Sequence, residues 1–281
     1  MIDVVVPYVD FQDKNWIEKA NKNGIDYSEI NRFRGQGEFF RYFFRGVAKN
    51  LSWVGNVFLI VQSKSQVPSW LDTSKIKVVL HEDFIPKEFL PLYNSCTIEM
   101  FLGNIKELGE QFLYFNDDMY VLRGLEPSDF FDNNKIRQKF LNHYPSFSDP
   151  YGFHCRNGYS LLFNEGEKTP VHSVQPLLKS KVIECFNLYK KEIYNSISTL
   201  RTSKNMNVYL YTYYLLQQNL CEDSSVAFSY TSAYDNRFVK GILLSDILCI
   251  GDEKTNLNIY RDARINKNFR KIFPEKSKYE L

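Results

Sequence analysis

No stretch of this 281-residue chain approaches the roughly 20 consecutive apolar residues that cross a bilayer, so no membrane-spanning segment is expected. The N-terminus opens directly into Ile2-Asp3-Val4-Val5-Val6-Pro7, too short and wrongly flanked for a signal peptide. The five cysteines, Cys96, Cys155, Cys185, Cys221 and Cys249, are odd in number, scattered and without a CxxC pair. That argues against a zinc knuckle and against a secreted disulfide framework, and a soluble protein in a reducing cytoplasm is expected. Charge of one sign is missing too: 35 Lys plus Arg against 33 Asp plus Glu leave +2, so no nucleic-acid partner is expected and any basic site is local. Internal repeats and low-complexity tracts are absent, which favours halves that pack as one unit.

What is present is an ordinary globular composition, 44% hydrophobic and 24% charged, with 23 Phe and 19 Tyr to fill a core and offer stacking surface to a sugar or base. The first half alternates between the periods of strands and helices. Strands are expected at 4–8, 57–61, 77–80 and 112–115, and helices at 38–50 and 98–108. Four strands with helical crossovers predict a nucleotide-binding, Rossmann-type α/β core over residues 1–126. After Pro127 the chain turns irregular through Phe147, Pro150 and Gly158, with helix-like segments at 177–190 and 206–218. Residues 127–281 are expected to form a helical and irregular elaboration that builds an acceptor side.

The sharpest local signal is Phe112-Leu113-Tyr114-Phe115-Asn116-Asp117-Asp118, an apolar strand ending in three oxygen-bearing side chains. Ligands of open α/β sheets sit at the carboxyl ends of strands. Adjacent carboxylates there suit Mg²⁺ or Mn²⁺ already bound to a diphosphate. A polar turn that merely caps the strand would look the same.

The flanking residues fall into an ordered series. They are Ile2 to Asp10, Arg41 to Val47, Ser52-Trp53-Val54, Val67 to Leu71, His81-Glu82-Asp83 and Asn94 to Glu99. After the Asn-Asp-Asp run come His172 to Ser180, Leu200-Arg201-Thr202, Cys249-Ile250-Gly251-Asp252, and Phe273 to Ser277 with Glu280. Each block is weak alone; in this order they are specific, and they cover almost the whole chain. The chain resembles the Stealth family of sugar-phosphate transferases, which includes bacterial capsular polysaccharide phosphotransferases and the eukaryotic lysosomal-enzyme N-acetylglucosamine-1-phosphotransferase. The chain departs from the family pattern in two blocks: Tyr8-Val9-Asp10-Phe11 stands where Trp-Val-Asp-Gly or Trp-Val-Asn-Gly is usual, and Gly251 where an Asn is usual.

The resemblance implies a GT-A-like fold and transfer of a hexose or N-acetylhexosamine 1-phosphate from a UDP-sugar to a hydroxyl of a glycan or lipid-linked glycan, releasing UMP. The expected setting is the cytoplasmic face of a bacterial membrane, where the Lys-rich C-terminal stretch would make peripheral contact. An ordinary metal-dependent glycosyltransferase releasing UDP and a non-catalytic glycan-binding assembly protein are the rivals. Asp117 and Asp118 are expected to hold the metal, with Asn116 beside them, and Arg41, Arg45 and Arg201 to grip phosphoryl oxygens. His172 is assigned proton abstraction or phosphoryl stabilisation, with Glu99 as alternative base and Ser95 as phosphate donor one helical turn away. Asp10, Asn94, Lys276 and Ser277 are expected on the nucleotide, His81 and Asp83 in support. For each isolated residue, an ion pair, a cap or a solvated face is the competing reading.

Overall fold

The computed structural model describes residues 1–26, 36–144, 150–233, 235–251 and 258–281. Its first half contains strand β1 (Ile2–Pro7), helices α1 (Lys14–Lys22) and α2 (Gln36–Asn50), β2 (Val54–Val61), β3 (Lys77–Leu80), α3 (His81–Phe84), α4 (Ser95–Met100), β4 (Gln111–Tyr114) and β5 (Met119–Val121). Short strands β6 (Phe131–Asp132), β7 (Lys135–Arg137) and β8 (Phe140–Leu141) lead into α5 (Pro150–Leu162), β9 (Thr169–Pro170) and β10 (Gln175–Leu178). The rest comprises α6 (Lys179–Leu188), α7 (Lys190–Ser196), α8 (Tyr209–Gln217), β11 (Cys221–Glu222), β12 (Phe228–Ser232), α9 (Arg237–Leu244), β13 (Ile247–Gly251) and α10 (Asn258–Ile272).

The main sheet has five strands in the order β10-β4-β1-β2-β3, parallel except for β10. Val4, Val5 and Val6 are wholly buried, as a central strand covered on both faces requires. From β1 the chain adds β2 and β3 on one side, then returns to place β4 on the other. The topological switch point therefore lies between β1 and β4, and the crevice at their carboxyl ends is where this architecture receives ligands.

A second sheet, β12-β13-β5, begins immediately after β4, so Asn116, Asp117 and Asp118 form the corner between two sheets. Helix α2 is wedged between the two cores. Phe40, Phe43, Phe44 and Val47 join the larger one, whereas Phe39 and Tyr42 join a smaller one with Tyr120, Phe238 and Phe269. Gly46 allows the close approach, because a Cβ there would sit 2.8 Å from the Val121 carbonyl oxygen of β5.

Two sequence expectations are corrected. The helix expected over 98–108 is α4 alone, followed by a 3₁₀ turn at Leu102–Asn104. Gly103 packs against Ile183, where a Cβ would lie 2.9 Å from Cγ1, and Asn104 donates to the Phe84 carbonyl at 3.0 Å. The helix expected from Leu177 is preceded by β10, which pairs antiparallel with β4. Pro176 is tolerated because β10 is an edge strand. Second-half residues thus complete the first-half sheet. Among the described residues no helix is long and apolar enough to cross a membrane.

Candidate active site

Parallel pairing of Val5 with Tyr114, extended by the Phe115 N–H to Val5 carbonyl bond of 2.9 Å, sets the ends of β1 and β4 side by side. Asp10 follows one strand and Asn116-Asp117-Asp118 the other. Antiparallel β10 begins with Gln175 opposite Tyr114, which brings His172 to the same edge. The corner is fixed by backbone: the Met119 N–H donates to the Asn116 carbonyl at 3.2 Å and the Ile250 N–H to the Asp118 carbonyl at 3.0 Å.

Asn116, Asp117 and Asp118 are each half-buried. Burial, together with the charge of Asp118, pushes the Asp117 carboxyl well above the usual range. The Cys249 thiol donates to Asp118 and is itself raised, first by burial and then by that carboxylate. Tyr8, buried and stacked on Phe40 at 4.3 Å, is raised by burial and by the charges of Asp10 and Asp117. The Tyr8 phenol thus feels carboxylates that follow both strands. No group of three or more His, Cys, Asp or Glu side chains forms a metal cage among the described residues.

His172 and its hydroxyl partners come from the second half. His172 Nδ1 lies 3.1 Å from the Tyr151 hydroxyl and 3.2 Å from that of Tyr209, and the two hydroxyls are 2.5 Å apart. Glu99 is buried: one oxygen accepts from the Tyr114 hydroxyl at 2.9 Å, the other from the Val208 N–H at 2.7 Å. Burial raises its carboxyl to about 7 against those two bonds and the nearby charge of Arg201. Arg201 donates through Nη2 to Ser95 Oγ at 2.6 Å. Ser95, Glu99 and Arg201 thus meet, and Glu99 anchors the start of α8, whose Tyr209 touches His172.

Other expected residues serve the framework. Asn94 caps α4 by accepting from the Cys96 N–H, and its amide reaches the Ser198 and Leu200 carbonyls and Asn205. It holds the loop that carries Arg201. Helix α4 has six residues, and Asn94 Oδ1 already takes the Cys96 N–H of its first turn. Arg45 grips Glu280 with two bonds of 2.8 Å and also donates to the Phe273 carbonyl, while Arg41 lies over Trp70 at 4.6 Å and 3.4 Å from Glu280. Ser277 donates to Glu280, and Lys276 to the Leu281 carbonyl at 2.7 Å. Arg41 and Arg45 of α2 are thus clamped to the C-terminal segment through Glu280 and Ser277, while Lys276 ties that segment to its own end. One Asp10 oxygen accepts the Gln12 N–H at 2.9 Å. His81 is buried and lowered by burial to about 4, and Asp83 accepts the Leu80 N–H at 2.7 Å. Asp252 lies outside the described residues.

Sequence reasoning did not single out Tyr8, Tyr151, Tyr209, Cys249 or His154. His154 lies between Cys96 Sγ (3.5 Å) and the Thr202 carbonyl (2.7 Å), tying α5 to the Arg201 loop. The tyrosine-rich run from Tyr209 to Tyr214 was the available signal for Tyr209.

Comparison with known proteins agrees with this architecture. The family model described as Stealth protein CR2, conserved region 2, matches residues 32–139. Capsular polysaccharide phosphotransferase WcwK of Streptococcus pneumoniae is 30% identical over 99% of this chain and 98% of its own length. Capsular polysaccharide phosphotransferase cps1A of Actinobacillus pleuropneumoniae is 33% identical over 73% of this chain and 62% of its own. Among solved structures, galactosyltransferase LgtC, in complex with donor and acceptor sugar analogs, superposes with a TM-score of 0.51 at 12% identity, covering 98% of this chain and 96% of that one. The fold is therefore of the GT-A glycosyltransferase type. With this coverage and identity, the chain belongs to the Stealth family of capsular polysaccharide phosphotransferases.

Proposed function

We propose that the chain transfers a sugar 1-phosphate, of a hexose or N-acetylhexosamine, from a UDP-sugar to a hydroxyl of a cell-surface glycan or its lipid-linked precursor. The observation that carries this reading is the Asp117–Asp118 pair at the switch point, where burial first and the neighbouring Asp118 charge second raise Asp117. The donor chemistry fits Mg²⁺ or Mn²⁺: two adjacent carboxylates offer hard oxygens and negative charge at one strand end. Such an ion would neutralise charge on the diphosphate and the departing nucleotide.

The acceptor oxygen attacks the phosphorus next to the sugar, the bond from that phosphorus to the bridging oxygen of UMP breaks, and UMP leaves with the electron pair. The bond at the anomeric carbon stays intact. His172 takes the acceptor proton on Nε2 while Nδ1–H donates to the tyrosine pair. Glu99 is a poor rival for that task, because both its oxygens already accept bonds from Tyr114 and Val208. Arg201, beside Ser95 and Glu99, stabilises the transferred phosphoryl oxygens. The exposed Lys276 and Lys278 support peripheral contact with an anionic membrane.

The likeness to a galactosyltransferase favours one alternative, an ordinary transferase that breaks the bond at the anomeric carbon. Chromatography of the nucleotide released from UDP-N-acetylglucosamine or UDP-glucose, with Mg²⁺ and a capsular oligosaccharide, separates the two. UMP supports sugar-phosphate transfer; UDP supports the alternative and refutes ours.

A further inference from the structure

Tyr209, Tyr211, Tyr213 and Tyr214 are all at 2% exposure or less, but Tyr230 is 57% exposed. It stands on β12 opposite Cys249 of β13, the strand bonded to the Asp118 carbonyl through Ile250. Its ring lies against Gly251 so closely that a Cβ at that glycine would fall 2.5 Å from Tyr230 Cζ and collide with the hydroxyl. The missing side chain at 251 is what makes room for the phenol. The ring also meets His172 edge-on, with centroids 5.7 Å apart and planes at 68°.

An exposed aromatic surface is thus held beside the imidazole to which the transfer reading gives the acceptor proton. We propose that Tyr230 is the platform on which the acceptor sugar rests, the C–H face of a pyranose stacking on the ring so that a hydroxyl reaches His172. The partially positive C–H groups of a sugar face complement the negative face of the π system, and flanking hydroxyls remain in water. Assigning the bound sugar as acceptor rests on the transfer reading above; the stacking itself does not.

Saturation-transfer NMR with methyl glycosides of glucose, galactose and N-acetylglucosamine tests it on the full chain, with UDP and Mg²⁺ as a separate probe. At least one glycoside is expected to receive saturation at its ring C–H protons. Y230A weakens that binding about tenfold, Y230F retains it, and G251A, which displaces the ring, behaves like Y230A. UDP binding is expected to be the same in all three variants. Absence of glycoside binding to the unmodified chain, or unchanged binding in Y230A or G251A, overturns the proposal. A chain that binds glycosides through Tyr230 but never cleaves a UDP-sugar keeps this platform and loses the transfer reading.

Discussion

Asp117 and Glu280 are both carboxylates withdrawn from water, and the chain treats them in opposite ways. Around Glu280, burial works to raise the carboxyl, but Arg45 and the Ser277 N–H outweigh it and hold it at about 2. Around Asp117, burial acts in the same direction and Asp118 adds to it, so the group moves well above its usual range. A compensated carboxylate fastens one segment to another. Two adjacent acids left in tension at a switch point are a cost to folding, and such a cost persists where a positive ligand relieves it.

That contrast can be broken most sharply by Asp117→Asn. It is expected to lower transfer by about 10³-fold or more through loss of the cation's hold. Its melting temperature should equal or exceed that of the parent, because a repulsion has been removed. Steady-state kinetics and thermal melts check both, and a large loss of stability would place Asp117 with Glu280 as a structural group. His172→Ala follows, with about 10²-fold loss of turnover and unchanged UDP binding by calorimetry, in keeping with a proton acceptor on the acceptor wall. Loss of UDP binding in that variant would move His172 to the donor side.

Glu280→Gln should reverse the pattern, costing about 3 kcal/mol of stability in denaturant titrations, because the ion pair that Glu280 makes with Arg45 in a mostly buried site is lost. Since the Glu280 carboxyl is lowered in the fold, the parent's advantage is present above about 4.5 and disappears as pH falls toward 2. The smallest effect belongs to Glu99, whose carboxyl is raised. Its stabilising contribution is complete below about 4.5 and is lost as pH rises through about 7. Glu99→Gln mimics the neutral acid, so the parent should lose on the order of 1–3 kcal/mol relative to the variant between pH 5 and pH 8. Parallel curves across that window would contradict the assignment.

Much of the architecture was legible because strong periodicity and burial coincide. The apolar strands β1, β2 and β4 and the aromatic helix α2 could be read from spacing alone, within a few residues at their ends. The edge strand β10 could not, because Pro176 and the run from Leu177 fit a helix onset as well as a strand, and only pairing with β4 decides between them. The Asn116-Asp117-Asp118 corner was visible as a strand ending in oxygens. The clamp was not: Arg41 and Arg45 are one turn apart, which suits phosphate as well as a carboxylate, and their partner Glu280 is 235 residues beyond Arg45. The tyrosines around His172 were hidden for the same reason, since contacts among α5, α8 and the approach to β10 depend on tertiary packing.

The central claim is that the paired acids at the switch point bind a cation jointly with a nucleotide diphosphate. Mn²⁺ binding, followed by electron paramagnetic resonance with and without UDP, tests it most directly. Mn²⁺ is expected to bind weakly alone and markedly more tightly with UDP, with both effects abolished in Asp117→Asn. Equal Mn²⁺ affinity with and without UDP, or undiminished binding in Asp117→Asn, would contradict the account.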